Sequence, residues 1–140
     1  MSIFGIIFVC NFFDKEGEYK MGKTAYDNTK EIQDVLLHIG IPANLLGFAY
    51  ITCAIQLTLS DPNELHHIVK GLYVDIAENC QSTPIRVERA IRHAIQVAWT
   101  QGDIEYIEGM FKNSVNPMKG SPTNAQFIAR LYYYFLNSKP

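Results

Sequence analysis

The sequence predicts an all-α fold, a six-helix bundle that contains a helix-turn-helix. Three observations point to it. Apolar residues recur at the i, i+3, i+4, i+7 spacing of a helix in several separate stretches. Helix-start signals stand at Asp61-Pro62-Asn63-Glu64, at Thr83-Pro84 and at the capping box Thr123-Asn124-Ala125-Gln126. Stop signals stand at Gly40 with Pro42 and at Gly102.

Taken in order, Ser2 to Phe13 is apolar apart from Ser2, Gly5 and Asn11. It is too short to span a membrane and lacks the basic start and small-residue cleavage site of a signal peptide. A core strand is one reading of it. Another is a translated leader, since Lys15 to Met21 can be encoded by a string holding the ribosome-binding sequence AAGGAG upstream of an ATG. Residues 1–20 are therefore expected to be a leader or extension, with Met21 an alternative start, and residues 21–140 the helical domain.

Thr29 to Ile39 is a helix with Ile32, Val35, Leu36 and Ile39 on one face. Ala43 to Leu59 is almost wholly apolar, as a helix buried on all sides would be. Its polar residues (Asn44, Thr52, Gln56 and Thr58) and the lack of a basic flank argue against a membrane span. The next helix runs from Asp61 to about Asn79, with Leu65, Ile68, Val69, Leu72, Tyr73 and Ile76 facing inward. After the turn Gln81 to Pro84 comes the helix Ile85 to Gln101. A shorter helix, Asp103 to Lys112, and a loop, Asn113 to Ser121, precede the last helix, which ends near Asn137. In that helix Phe127, Ile128, Leu131, Tyr132 and Phe135 form the inward stripe.

With 140 residues, 48% hydrophobic and 19% charged, the chain is one domain with enough apolar content for a core. The formal charge of −2 shows no overall basic excess, so any nucleic-acid site must be a local patch. Cys10, Cys53 and Cys80 are odd in number, widely spaced and without a CxxC, which fits a reducing compartment better than a disulfide scaffold. His66 and His67 are adjacent and point about 100° apart, so they read as surface residues rather than as a chelating pair. No nucleophile elbow, phosphate-binding loop, dinucleotide fingerprint or H-E-x-x-H zinc motif occurs. Neither an enzyme nor a cofactor or metal is expected.

The helix Ile85 to Gln101 concentrates the chemistry. Val87, Ala90, Ile91, Ala94, Ile95 and Ala98 fall on one face at 100° per residue. Arg89, Arg92, His93, Gln96 and Thr100 cluster opposite, with Arg86 and Glu88 at the edges. A solvated face with a Glu88–Arg92 pair at i, i+4 is the plain reading. The inventory also matches the major groove: Arg forks to guanine, Gln pairs with adenine and Glu accepts from cytosine. A helix, a short turn and this helix have the order of a helix-turn-helix whose second helix reads the bases.

The string from Arg86 to Ile95, RVERAIRHAI, followed by Val97-Ala98-Trp99, resembles the recognition helix of the C-terminal effector domain of the stage-zero sporulation protein A family. These are sporulation regulators of endospore-forming Firmicutes. The likeness extends over about residues 30–130, through Ile39-Gly40-Ile41-Pro42-Ala43, Gly47, Ala54-Ile55, Leu72-Tyr73, Asp75-Ile76-Ala77, Pro122-Thr123-Asn124 and Phe127-Ile128-Ala129. It implies a six-helix cytoplasmic, nucleoid-associated domain that binds promoter boxes in double-stranded DNA. Carried over by position, Glu88, Arg89 and Arg92 read bases, and Gln96 lies on the same face. Ser82, Thr83, Arg86, His93, Lys119, Thr123 and Asn124 hold or flank the backbone.

The resemblance also implies neighbouring copies touching on tandem boxes, for which Tyr133 and Tyr134 are the candidate contact. It further implies that Asp103, Glu105 and Glu108 meet the sigma subunit of RNA polymerase. Three departures stand out. The family's receiver domain is not expected here, because only a short leader precedes residue 30. Ser121, Gln101 and Glu78-Asn79 replace basic positions of the family, which predicts fewer phosphate contacts and a shallower salt dependence. The aromatic tail Tyr132 to Phe135 replaces a more charged helix end. An antagonist that pairs with a full-length homologue, and does not itself bind DNA tightly, is the alternative function.

Overall fold

Several helix ends, at Gly40, Thr83, Asp103 and Thr123, fall where a local group satisfies backbone N–H or C=O atoms that the helix leaves unpaired. The computed structural model describes residues 23–111 and 120–138. The expectations for residues 1–20, for Lys119 and for most of the loop Asn113 to Ser121 lie outside that range. Among the described residues there are six α-helices and no strand: α1 (Lys23–Ile39), α2 (Leu46–Ser60), α3 (Tyr73–Cys80), α4 (Pro84–Gln101), α5 (Ile104–Phe111) and α6 (Asn124–Asn137). None is long and apolar enough to cross a membrane.

α1 begins earlier than its apolar spacing indicates and buries Ile32, Leu36 and Ile39. It ends in a Schellman turn. Gly40, at φ 112°, donates to Leu37 O at 3.1 Å, and Ile41 donates to Leu36 O at 3.0 Å. α2 starts later than expected, because Leu45 is still extended and its N–H bonds back to Pro42 O at 3.2 Å. This helix packs against α1, α4 and α6 and is buried almost throughout. Its hydroxyls are satisfied within the helix: Thr52 donates to Phe48 O at 2.8 Å and Thr58 to Ile55 O at 2.9 Å. Gln56 reaches across to Thr29 of α1.

The single helix expected from Asp61 to Asn79 is three pieces. Asp61 accepts from Asn63 N and starts a 3₁₀ turn, Pro62–His66. His67 then leaves helical geometry, at φ −136° and ψ 55°. A π turn, Ile68–Leu72, follows before α3. The wider π turn adds a residue to the winding and rotates the register. Val69, expected inside, is 69% exposed, whereas Leu72, Tyr73 and Ile76 keep their buried places.

α3 closes on Gln81 in the left-handed conformation, with Ser82 N bonded to Ala77 O at 2.9 Å. Two residues later Thr83 caps α4, its hydroxyl accepting from Arg86 N, and Pro84 occupies the first turn. Asp103 accepts from Tyr106 N at 3.1 Å and opens α5. α6 carries the full capping box: Thr123 Oγ1 accepts from Gln126 N at 3.1 Å, and Thr123 N donates to Gln126 Oε1 at 3.0 Å. The expected stripe of Phe127, Ile128, Leu131, Tyr132 and Phe135 is buried.

Two close approaches set the spacing of the bundle. A methyl on Gly47 of α2 would meet Ala94 Cβ of α4 at 2.6 Å and the Ala90 carbonyl closer still. A methyl on Gly40 would meet Gly102 Cα at 2.5 Å, so the ends of α1 and α4 touch through two glycines. Trp99 of α4 packs edge-on to Phe111 of α5, with centroids 5.0 Å apart, and Phe111 stacks on Phe127 of α6 at 5.4 Å. Cys53 lies in the core. Its burial pushes the thiol pKa up, and the nearby charges of Asp75 and Glu64 add to that.

Candidate nucleic-acid interface

The helix that carries the arginines is α4, and packing leaves one of its faces to solvent. Val87, Ile91, Ala94, Ile95 and Ala98 are buried against the bundle. Arg86, Arg89, Arg92, His93, Gln96 and Thr100 are exposed, as the 3.6-residue period requires. Glu88 is half-buried at the edge of that face. Its Oε2 accepts from Arg92 Nη2 at 3.2 Å, with side chains 33% and 56% exposed. Two of the four expected base-reading residues therefore pair with each other in the free protein. Such an exposed i, i+4 pair stabilises by only about 0.3–0.5 kcal/mol, so a better partner displaces it readily.

The backbone set is less uniform. Arg86 and His93 are exposed beside the readers. Ser82 is half-buried and accepts from Tyr50 OH of α2 at 3.2 Å. The hydroxyls of Thr83 and Thr123 are engaged as helix caps. Asn124 is a correction to the expected surface contact: it is 8% exposed and turned inward. Its Nδ2 donates to Tyr73 OH at 3.0 Å and to Glu88 O at 3.1 Å. Asn124 thus ties α6 to α3 and to the α4 backbone at the edge of the charged face. Burial pushes the Tyr73 phenol pKa up; the Asn124 hydrogen bond lowers it, Glu88 raises it and Arg92 lowers it.

Sequence reasoning missed Tyr73 as part of this support. An inward-facing aromatic reads simply as core, and only the fold brings its hydroxyl to Asn124. Ile85, in the first turn, is not among the expected site residues, although it is 65% exposed at the head of the charged face.

Elsewhere, Asp103, Glu105 and Glu108 are exposed on α5, with Asp103 also serving as its cap. Tyr133 and Tyr134 are exposed near the end of α6. His66 and His67 are both exposed. Among the described residues, no group of three His, Cys, Asp or Glu side chains is placed to hold a metal ion.

Fold and face together define an all-helical domain that presents one charged helix to solvent, the class to which helical DNA-binding domains belong. The sequence model of the family described as "Sporulation initiation factor Spo0A C terminal" matches residues 32–135. The chain belongs to that family, whose members are DNA-binding sporulation regulators rather than enzymes.

Proposed function

We propose that the chain is a sequence-specific transcription regulator that inserts α4 into the major groove of promoter boxes. The observation that carries the reading is the solvent-facing row of Arg89, Arg92 and Gln96 on a helix whose opposite face is buried. In this reading α3, the turn 81–83 and α4 act as a helix-turn-helix. Glu88, Arg89, Arg92 and Gln96 read bases, while Arg86, His93, Ser82, Thr83, Lys119 and Thr123 lie along the phosphates. Two copies sit on tandem boxes, with Tyr133 and Tyr134 at their contact. Asp103, Glu105 and Glu108 face the sigma subunit of RNA polymerase, and the site of action is the bacterial cytoplasm.

The test is a mobility-shift titration of Arg89→Ala. Loss of a bidentate guanine contact costs about 1–3 kcal/mol and relaxes preference at one base pair. If affinity and base preference both stay as in the wild type, α4 is not the reader.

One observation favours a second reading. Glu78, Gln101 and Ser121 are exposed and supply no cation to a phosphate. A chain that binds DNA weakly and pairs with a full-length homologue fits that distribution. Absence of DNA binding, together with co-purification of such a homologue, would select it.

A further inference from the structure

Ile85 is an apolar residue in the middle of a polar face. On the wheel of α4 it lies in line with Arg89, Arg92 and Gln96, at i, i+4, i+7 and i+11, so all four fall within about 60° of one another. The side chain is 65% exposed. It belongs neither to the core nor to the half-buried apolar residues packed against the core. Thr83 and Pro84 fix the start of α4 just before it, so Ile85 projects from the first turn of a capped, rigid helix end. The other large exposed aliphatic residues, such as Leu37, Leu46 and Ile104, lie on other helices, away from this row.

We infer that Ile85 is a specificity-determining residue that receives the C5 methyl of a thymine at the base pair next to those read by Arg89 and Arg92. The inference rests on the reading of α4 as the major-groove helix. The chemistry is narrow. In the major groove the thymine methyl is the large apolar group on a base edge, and an aliphatic side chain recognises it by excluding water from both surfaces. The arginines alongside supply charge and hydrogen bonds, but none of them prefers a methyl. Ile85 therefore supplies a selection that its neighbours on the row cannot.

The experiment takes the full chain and the box it selects from a random-sequence duplex library. Each thymine of that box is replaced singly by deoxyuridine, which removes only the methyl group. Binding of wild type and Ile85→Ala is then titrated by fluorescence anisotropy at one salt concentration. The wild type is expected to lose about four-fold in affinity at one thymine, the value of one buried methyl. Ile85→Ala is expected to bind the thymine and uracil versions of that position equally, and Ile85→Val to retain part of the difference.

Because Ile85 is exposed and outside the core, the variants keep the fold, which circular dichroism checks. A selected box without thymine, uracil tolerated at every position, or a uracil loss that persists in Ile85→Ala each overturns the inference while leaving α4 as the reader. A wild type that does not distinguish its selected box from scrambled duplex overturns the reading of α4, and the inference with it.

Discussion

Asn124 donates a hydrogen bond to the phenol oxygen of Tyr73 at 3.0 Å, across fifty-one residues of sequence, and both side chains are buried. The same Asn124 amide also bonds Glu88 O, so one side chain sets the position of α4 relative to α3 and α6.

Asn124→Ala removes both bonds and leaves the buried Tyr73 hydroxyl without that donor. The expected loss is about 1–3 kcal/mol in urea denaturation. Tyr73→Phe should cost less, and the double variant less than the sum of the two, since the pair shares one interaction. Strict additivity would mean that the two groups do not act together.

Gly47→Ala forces a methyl against Ala94 and the Ala90 carbonyl, and that backbone cannot swing aside as a flexible side-chain end can. A destabilisation of about 1–3 kcal/mol is expected from overpacking the α2–α4 contact. Gly109→Ala is the control. Nothing lies within 4 Å of the added methyl, so the gain in helix propensity should raise stability by about 0.5–1 kcal/mol. Thermal melts of the two variants should move in opposite directions.

Glu88→Gln breaks the exposed pair with Arg92. The change in stability should stay within about 0.5 kcal/mol, as for other exposed i, i+4 pairs. On DNA the effect should be larger. Removing a negative charge beside the phosphates raises affinity for non-specific duplex, and loss of the carboxylate weakens any preference for cytosine. A melt lowered by more than about 1 kcal/mol would show that the pair holds the fold.

Tyr106 stacks on His38, with centroids 3.8 Å apart, and its phenol is pushed up to about 12 by burial, by the Tyr134 charge and by a hydrogen bond with Tyr134. Its folded-state pKa is thus raised above the ordinary tyrosine value of 10.0. The corresponding stability is fully present below pH 10 and is lost as pH rises through 12, because the unfolded chain releases the proton first. Tyr73, also raised, acts in the same direction. Denaturation across that window should show a falling stability whose slope is shallower in Tyr106→Phe. An unchanged slope would remove Tyr106 as its source.

Much of the domain was legible because its signals are local. Thr83 with Pro84 and the Thr123–Gln126 box place two helix starts within a few residues. The period of Val87, Ile91, Ala94 and Ala98 identifies the inner face of α4, and so by difference its charged outer face. The Glu88–Arg92 pair follows from spacing alone. Where sequence and structure part, a non-local contact or a backbone irregularity decides. The π turn after His67 carries Val69 outward although its hydropathy favours the interior.

Asn124 follows the start signal of α6 and reads as an exposed polar residue. Only the approach of α3 and α4 surrounds it with a phenol and a carbonyl, and makes burial the lower-energy place for its amide. The sequence by itself determined the all-helical class, the capped starts of α4 and α6 and the charged face, because capping and periodicity act over a few residues. Tertiary structure decided which side chains support that face and how closely the helices approach. Those outcomes depend on groups far apart in the chain meeting at hydrogen-bond and van der Waals distances.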